Sequence, residues 1–301
     1  MLANPIFILA SPFSFRAALC AMLGQHPNLY DLPDMNLLAR EYPTNLLDEP
    51  ATLPLDGLLR SVGQLYGGEQ TLESMEMARR WLYQRLSKQT RDIYLELCRK
   101  IDPLRMVDSS AAYTNPKQPE TLHRIGAGFP KAYYIHLVRH PRTQCQAWMK
   151  DPRSVSELHA LKSYAHDTNQ PVIDPQFDWQ HRNRMILNFL DGIPTDRWIR
   201  LRGEDVISNP RDHLEEICRW LKIPWNESVY EAMLATENSV YSSAGPYGAK
   251  WGRNPEFLRS PALRQRYGHR TSKLDGALPW RTDGAGLTGE TIELARQFGY
   301  E

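Results

Sequence analysis

Cysteine is scarce. There are four in 301 residues, Cys20, Cys98, Cys145 and Cys218, with no CxxC pair among them. That argues against a thiol–disulfide or zinc-ribbon framework. Three of them fall in stretches read as helices, the pattern of reduced, packed thiols in a cytoplasmic protein. Nowhere do eighteen apolar residues run together, so no membrane-spanning helix is expected. The N-terminal apolar run is too short, and lacks a basic lead-in, to be a signal peptide. Excess charge is missing too: 36 Lys and Arg against 35 Asp and Glu leave +1, no field for nucleic acid or an acidic membrane. The nine histidines show no metal-ligand spacing, and GxGxxG, GxSxG and a Walker lysine are all lacking.

What is present is an alternation of strands and helices. Ile6-Phe7-Ile8-Leu9 is a wholly apolar run, the mark of a strand buried on both faces. A turn at Ser11-Pro12-Phe13-Ser14 leads into a helix over Arg16–Gln25. Its unpaired N–H groups and its dipole both favour an anion above the loop. Further strands are read at Leu104–Asp108, Ala132–Val138 and Trp198–Leu201, with helices near Glu120–Gly126, Arg142–Lys150, Ser156–Tyr164, Trp179–Leu190 and Arg211–Leu221. Residues 40–70 read as loops around one short helix carrying Leu58, Leu59, Val62 and Leu65, followed by helices at Thr71–Leu86, capped by Thr71, and at Lys88–Lys100. The alternation predicts an α/β domain, a mainly parallel sheet between two helical layers, with ligands at the C-terminal ends of its strands. One domain over 1–301 is expected, with a helical insertion at about 40–100 and a C-terminal loop and tail from about 240.

These segments carry a resemblance. A strand ending in Ser11-Pro12, a short loop, and a helix running into Leu23-Gly24-Gln25-His26-Pro27 resembles the first nucleotide-binding segment of the sulfotransferases. Val138-Arg139-His140-Pro141-Arg142 resembles that family's second such segment. Trp179 to Asn183, Leu201-Arg202-Gly203-Glu204-Asp205-Val206 and Trp220-Leu221-Lys222-Ile223-Pro224 match in order and spacing, over about 5–36 and 104–225. The resemblance implies a P-loop-like three-layer fold. It implies transfer of a sulfonate from 3′-phosphoadenosine 5′-phosphosulfate (PAPS) to a hydroxyl of a small or carrier-bound metabolite, with PAP left behind.

The departures fall on the donor side. Where the family loop reads Ser-Pro-Arg-Ser-Gly followed by hydroxyl residues, this chain has Ser11, Pro12, Phe13, Ser14, Phe15, Arg16 and Ala17. The basic residue, the glycine and a hydroxyl are replaced. Ser109 stands where a lysine is usual, and Ala147 where a serine is. Gln144 and Gln146 are the nearest substitutes, and Gln144 points the wrong way on a regular helix. Arg139 is the expected phosphate ligand, with Arg142, Arg202, Lys250 and Arg253 as further cations. Arg16 could replace the cation lost at Phe13. Phe13 and Phe15 are too large to wrap a phosphate closely and are expected to fill the space or line an apolar pocket.

On the acceptor side, Asp34 matches the position of a family glutamate and is the candidate general base, with His26 second. Turn or cap roles are the plain alternatives for both. Two other readings stay open: a protein that has lost PAPS binding and serves as a scaffold, or an enzyme turned to elimination or cyclisation. The sequence also leaves a homo-oligomer open.

Overall fold

The computed structural model describes residues 4–48, 53–166, 170–263 and 272–301. Seven strands occur among them: β1 (Ile6–Leu9), β2 (Leu29–Asp31), β3 (Arg105–Asp108), β4 (Tyr133–Val138), β5 (Tyr164–Ala165), β6 (Val172–Ile173) and β7 (Trp198–Arg202). Five of them form one sheet in the order β2-β3-β1-β4-β7, every pair parallel. β5 and β6 make a separate antiparallel pair.

Alternation along β1 divides the core. Phe7 and Leu9 face one layer, packed with residues of the helices Asp56–Val62, Leu72–Tyr83, Thr90–Ile101 and Glu120–Gly128. Ile6 and Ile8 face the other, with the first helix (Arg16–Gly24) and the helix Pro210–Leu221. The strand is therefore apolar at every position because both faces are covered. Phe7 centres an aromatic cluster, with Tyr94, Tyr113, Phe129 and Tyr134 at 5.7–6.1 Å between ring centroids. The expected three-layer α/β architecture is the one observed.

Local differences have local causes. The helix expected at Ser156–Tyr164 lies at Pro152–Ala160, because Asp151 caps it and Pro152 occupies its first turn. Tyr164 belongs instead to β5. The edge strand β2 has only three residues and was not expected. Thr71 does cap its helix, in reciprocal bonds with Ser74. All four cysteines are free, buried and helical. Among the described residues no helix is long and apolar enough to cross a membrane.

A parallel sheet puts all five strand ends along one edge. There the chain leaves β1 into Ala10–Phe15, β2 into Leu32–Asn36, β3 into Ser109-Ser110, β4 into Arg139-His140 and β7 into Gly203-Glu204. This edge carries the site.

Candidate active site

The loop after β1 is held from below. Thr114 Oγ1 donates to the Ala10 carbonyl at 2.8 Å, and Gln144 Nε2 donates to the Pro12 carbonyl. Trp179 Nε1 donates to both Gln144 Oε1 (3.1 Å) and the Arg139 carbonyl (3.0 Å), tying this loop to the end of β4. Gln144 therefore points at the loop, contrary to expectation, since the first turn of its helix Pro141–Met149 faces the sheet edge.

Phe13 and Phe15 both take left-handed backbone conformations, with φ of 62° and 68°. The chain thus keeps a glycine-like path with side chains that resist it, at a cost of about 1–3 kcal/mol per residue. The Phe13 ring lies 6.4 Å from that of Trp148. The Phe15 ring lies 4.3 Å from the Arg139 guanidinium carbon, and Arg139 Nη1 donates to the Phe13 carbonyl at 2.8 Å. Gly203 makes room for this arrangement: a Cβ there would come within 2.6 Å of the Ser14 carbonyl oxygen and 2.9 Å of the Phe15 ring. Ser14 Oγ is buried and has no hydrogen-bond partner among the described residues.

Above the loop opens a cavity of about 370 Å³, lined by Phe13, Phe15, Arg16, Asp34, Arg139 and Phe257 among others. Arg16 and Asp34 meet in its wall as a two-bond ion pair, Nη1 to Oδ1 at 3.1 Å and Nη2 to Oδ2 at 2.9 Å. Arg16 Nη1 also donates to the Ser109 carbonyl. Asp34 is fixed by its own N–H on the Gly252 carbonyl (2.5 Å) and by close backbone packing on Gly57, where a Cβ would lie 2.1 Å from the Asp34 carbonyl oxygen. Two residues on, the Asn36 N–H donates to Ser110 Oγ (3.0 Å), which donates to Asp108 Oδ1 (2.7 Å). Burial pushes the Asp108 carboxyl up to about 6; bonds from Ser110 and Tyr113 oppose this, and the nearby Asp34 charge adds to it.

The geometry is a helix start beneath a cavity, on the sheet edge where α/β proteins bind ligands. The sequence agrees: residues 5–227 match the model of the Sulfotransferase family. The chain belongs to the sulfotransferase family. Two solved structures are similar over nearly their whole length. One is the sulfotransferase domain from the curacin biosynthetic pathway: 24% identity, TM-score 0.76, covering 100% of this chain and 99% of that one. Another is the sulfotransferase domain from the Synechococcus PCC 7002 olefin synthase: 26% identity, TM-score 0.72, covering 99% and 96%. A comparison with curated protein sequences gives no match.

Against this family's pattern, the candidate residues separate into two groups. Pro12, Phe13, Ser14, Phe15, Arg16, Ala17, Asp34, Arg139 and Arg253 all line the cavity. Ser11 lies beneath it, buried, its hydroxyl 3.5 Å from Asn183 Nδ2. Arg253 is bound within the wall, on the Asp31 carboxylate and the Ala17 carbonyl (3.0 Å). The remaining candidates lie elsewhere. Arg142 donates to the carbonyls of Gly276 (2.7 Å) and Ala277 (2.5 Å). Arg202 binds Asp205 (2.5 Å) and the Gly299 carbonyl (2.7 Å), beside a second hollow that includes His140 and Tyr300. Lys250 is exposed and sits 4.9 Å above the Trp251 ring. His26 follows the far end of the first helix, its Nδ1 accepting from the Asn28 N–H (3.0 Å) and its Nε2 donating to the Pro224 carbonyl (2.8 Å). Burial lowers its pKa. With both nitrogens used away from the cavity, His26 reads as a fold-closing contact with the Ile223-Pro224 segment.

Sequence reasoning missed three supports of the site: Gln144 as a brace for the loop, Gly203 as the gap that admits it, and Gly57 beneath Asp34. A glycine directly after a strand signals close approach, and Gly203 could have been found that way.

Proposed function

We propose that this chain transfers a sulfonate from PAPS to a hydroxyl of a small or carrier-bound metabolite. The observation that carries the reading is the start of the first helix opening onto the cavity, with the guanidinium groups of Arg16 and Arg139 in its wall. Unpaired helix N–H groups and two always-charged forks suit a phosphate or sulfonate. The orphaned Ser14 hydroxyl adds a buried polar atom to the same loop. PAPS, when bound, supplies the sulfonate and leaves as PAP. The protein's part is to hold the anion and take a proton: Arg16 and the helix start bind it, Arg139 flanks it, and Asp34 accepts the acceptor's hydroxyl proton at a carboxylate oxygen. That the two similar solved domains come from a biosynthetic pathway and an olefin synthase supports a metabolite as acceptor.

A second reading has its own observation. The Phe15 ring covers Arg139, and Ala147 in the cavity wall has no hydroxyl to offer. This favours a family member that binds a ligand without transferring a group. The two are separated by incubating the protein with PAPS and a panel of alcohols and following PAP release. Sulfonate transfer predicts acceptor-dependent release that falls by about 100-fold or more in Asp34→Ala. Tight PAP binding with no release on any acceptor contradicts it.

A further inference from the structure

We propose that the Arg16–Asp34 ion pair is an exchangeable latch: the Asp34 carboxylate holds the place of the donor's anion, and anion binding takes Arg16 from it. The inference rests on the donor-site reading above.

Several observations carry it. The pair is fork-to-fork, with Arg16 Nη1 donating to Asp34 Oδ1 and Nη2 to Oδ2. The same fork grips a phosphate or sulfonate equally well. Arg16 opens the first helix, where a cation opposes the helix dipole and an anion is favoured. Asp34 answers the guanidinium, whereas an anionic ligand in the cavity could meet the guanidinium and the helix N–H groups together.

The pair also differs from the chain's sealed ion pairs. Its side chains are 12% and 18% exposed, in a cavity wall. Arg182–Asp178 is sealed at 1% and 2%, and Arg253–Asp31 at 1% and 6%. Arg16 has a second anchor on the Ser109 carbonyl, so its guanidinium stays at the wall when the carboxylate is released. The Asp34 backbone is pinned on Gly252, so the carboxylate stays as well. A change of partner requires only a small movement of one side chain.

The consequence is an order of events. Without an anion, both Asp34 oxygens are committed to Arg16. Once the anion takes the guanidinium, the carboxylate is open to a hydroxyl proton. Donor binding precedes productive acceptor binding, and the base is exposed only when there is a group to transfer.

The test is titration calorimetry with PAP on the wild-type protein and on Asp34→Asn, Asp34→Glu and Arg16→Ala. Thermal melts confirm folding, and Asp34→Ser replaces any Asn variant that fails to fold. Removing the competing carboxylate charge is expected to tighten PAP binding by about fivefold or more, the size of an ordinary coupling between sites. Asp34→Glu should bind as the wild type does, and Arg16→Ala should bind more weakly than either. Binding by Asp34→Asn where the wild type shows none also supports the latch. Equal or weaker binding by Asp34→Asn, with the wild type binding, overturns the latch alone. Absence of binding by both proteins overturns the donor-site reading and the latch with it.

Discussion

Arg139 and Phe15 form a strut: the guanidinium carbon lies 4.3 Å from the ring centroid, and the same arginine donates to the Phe13 carbonyl at 2.8 Å. A cation–π contact of this kind contributes about 0.5–2 kcal/mol. That offsets part of the cost of two phenylalanines with left-handed backbones. The arginine that the family pattern assigns to a phosphate thus braces the loop where the phosphate would sit.

Phe15→Gly separates the two roles. Glycine takes the left-handed conformation without strain, while the ring contact is lost. Stability should change by no more than about 1 kcal/mol. PAP binding should tighten several-fold as the guanidinium is uncovered. Unchanged affinity would make Arg139 a brace and nothing more.

Trp179→Phe removes the indole N–H shared by the Arg139 carbonyl and Gln144. Two buried acceptors lose a donor, a loss of about 1–3 kcal/mol in urea unfolding. The loop above is expected to loosen, so PAP affinity should fall as well. A stability change under about 0.5 kcal/mol would show that water replaces the indole.

Gly203→Ala places a methyl 2.6 Å from the Ser14 carbonyl oxygen and 2.9 Å from the Phe15 ring. The backbone oxygen cannot swing aside, so the loop must shift. The variant should keep its far-UV circular dichroism yet lose the thermal shift given by PAP. A retained shift would mean that the loop's position does not matter to the ligand.

His136 provides a pH test of the sheet. Its Nε2 donates to Asn183 Oδ1 at 2.9 Å and its Nδ1 accepts from Arg200 Nε at 3.2 Å, so the neutral ring is the one that fits. Burial first, with the Arg200 charge adding and the Asn183 bond opposing, pushes its pKa down to about 3. The folded pKa lies below the unfolded one, so this contribution is present above pH 6.5 and is lost as the pH falls. Between pH 7 and 5 the wild type should lose about 2 kcal/mol more stability than His136→Gln in urea titrations. Parallel losses in the two proteins would show that the ring protonates freely in the fold.

The sheet was legible because β1 is an apolar run and β4 a mostly apolar one, each closed by turn residues, and a parallel sheet follows from their alternation with helices. The loop was legible in composition and not in path. Glycine at 15 would have declared the left-handed turn, but Phe15 makes the same turn with a side chain that hides it. Arg16 and Asp34 were each named as candidates. Their pairing was out of reach, since they stand eighteen positions apart with a strand between them, and only the sheet edge brings them together. Arg142, Arg202 and Lys250 illustrate the opposite limit: a cation near a motif says nothing of which carbonyl or ring will hold it. His26 belongs with them, because its partner Pro224 lies 198 positions away.

The central claim is that the cavity over the first helix still binds the donor nucleotide. Titration calorimetry of PAP against the wild-type protein, with Arg139→Ala beside it, tests this most directly. The account predicts micromolar binding that weakens about tenfold or more in the variant, a difference of about 1.4 kcal/mol. A melting temperature raised by several degrees at saturating PAP should accompany it. No binding heat at millimolar PAP, from the wild type and from Asp34→Asn alike, would contradict it and leave the fold serving another ligand.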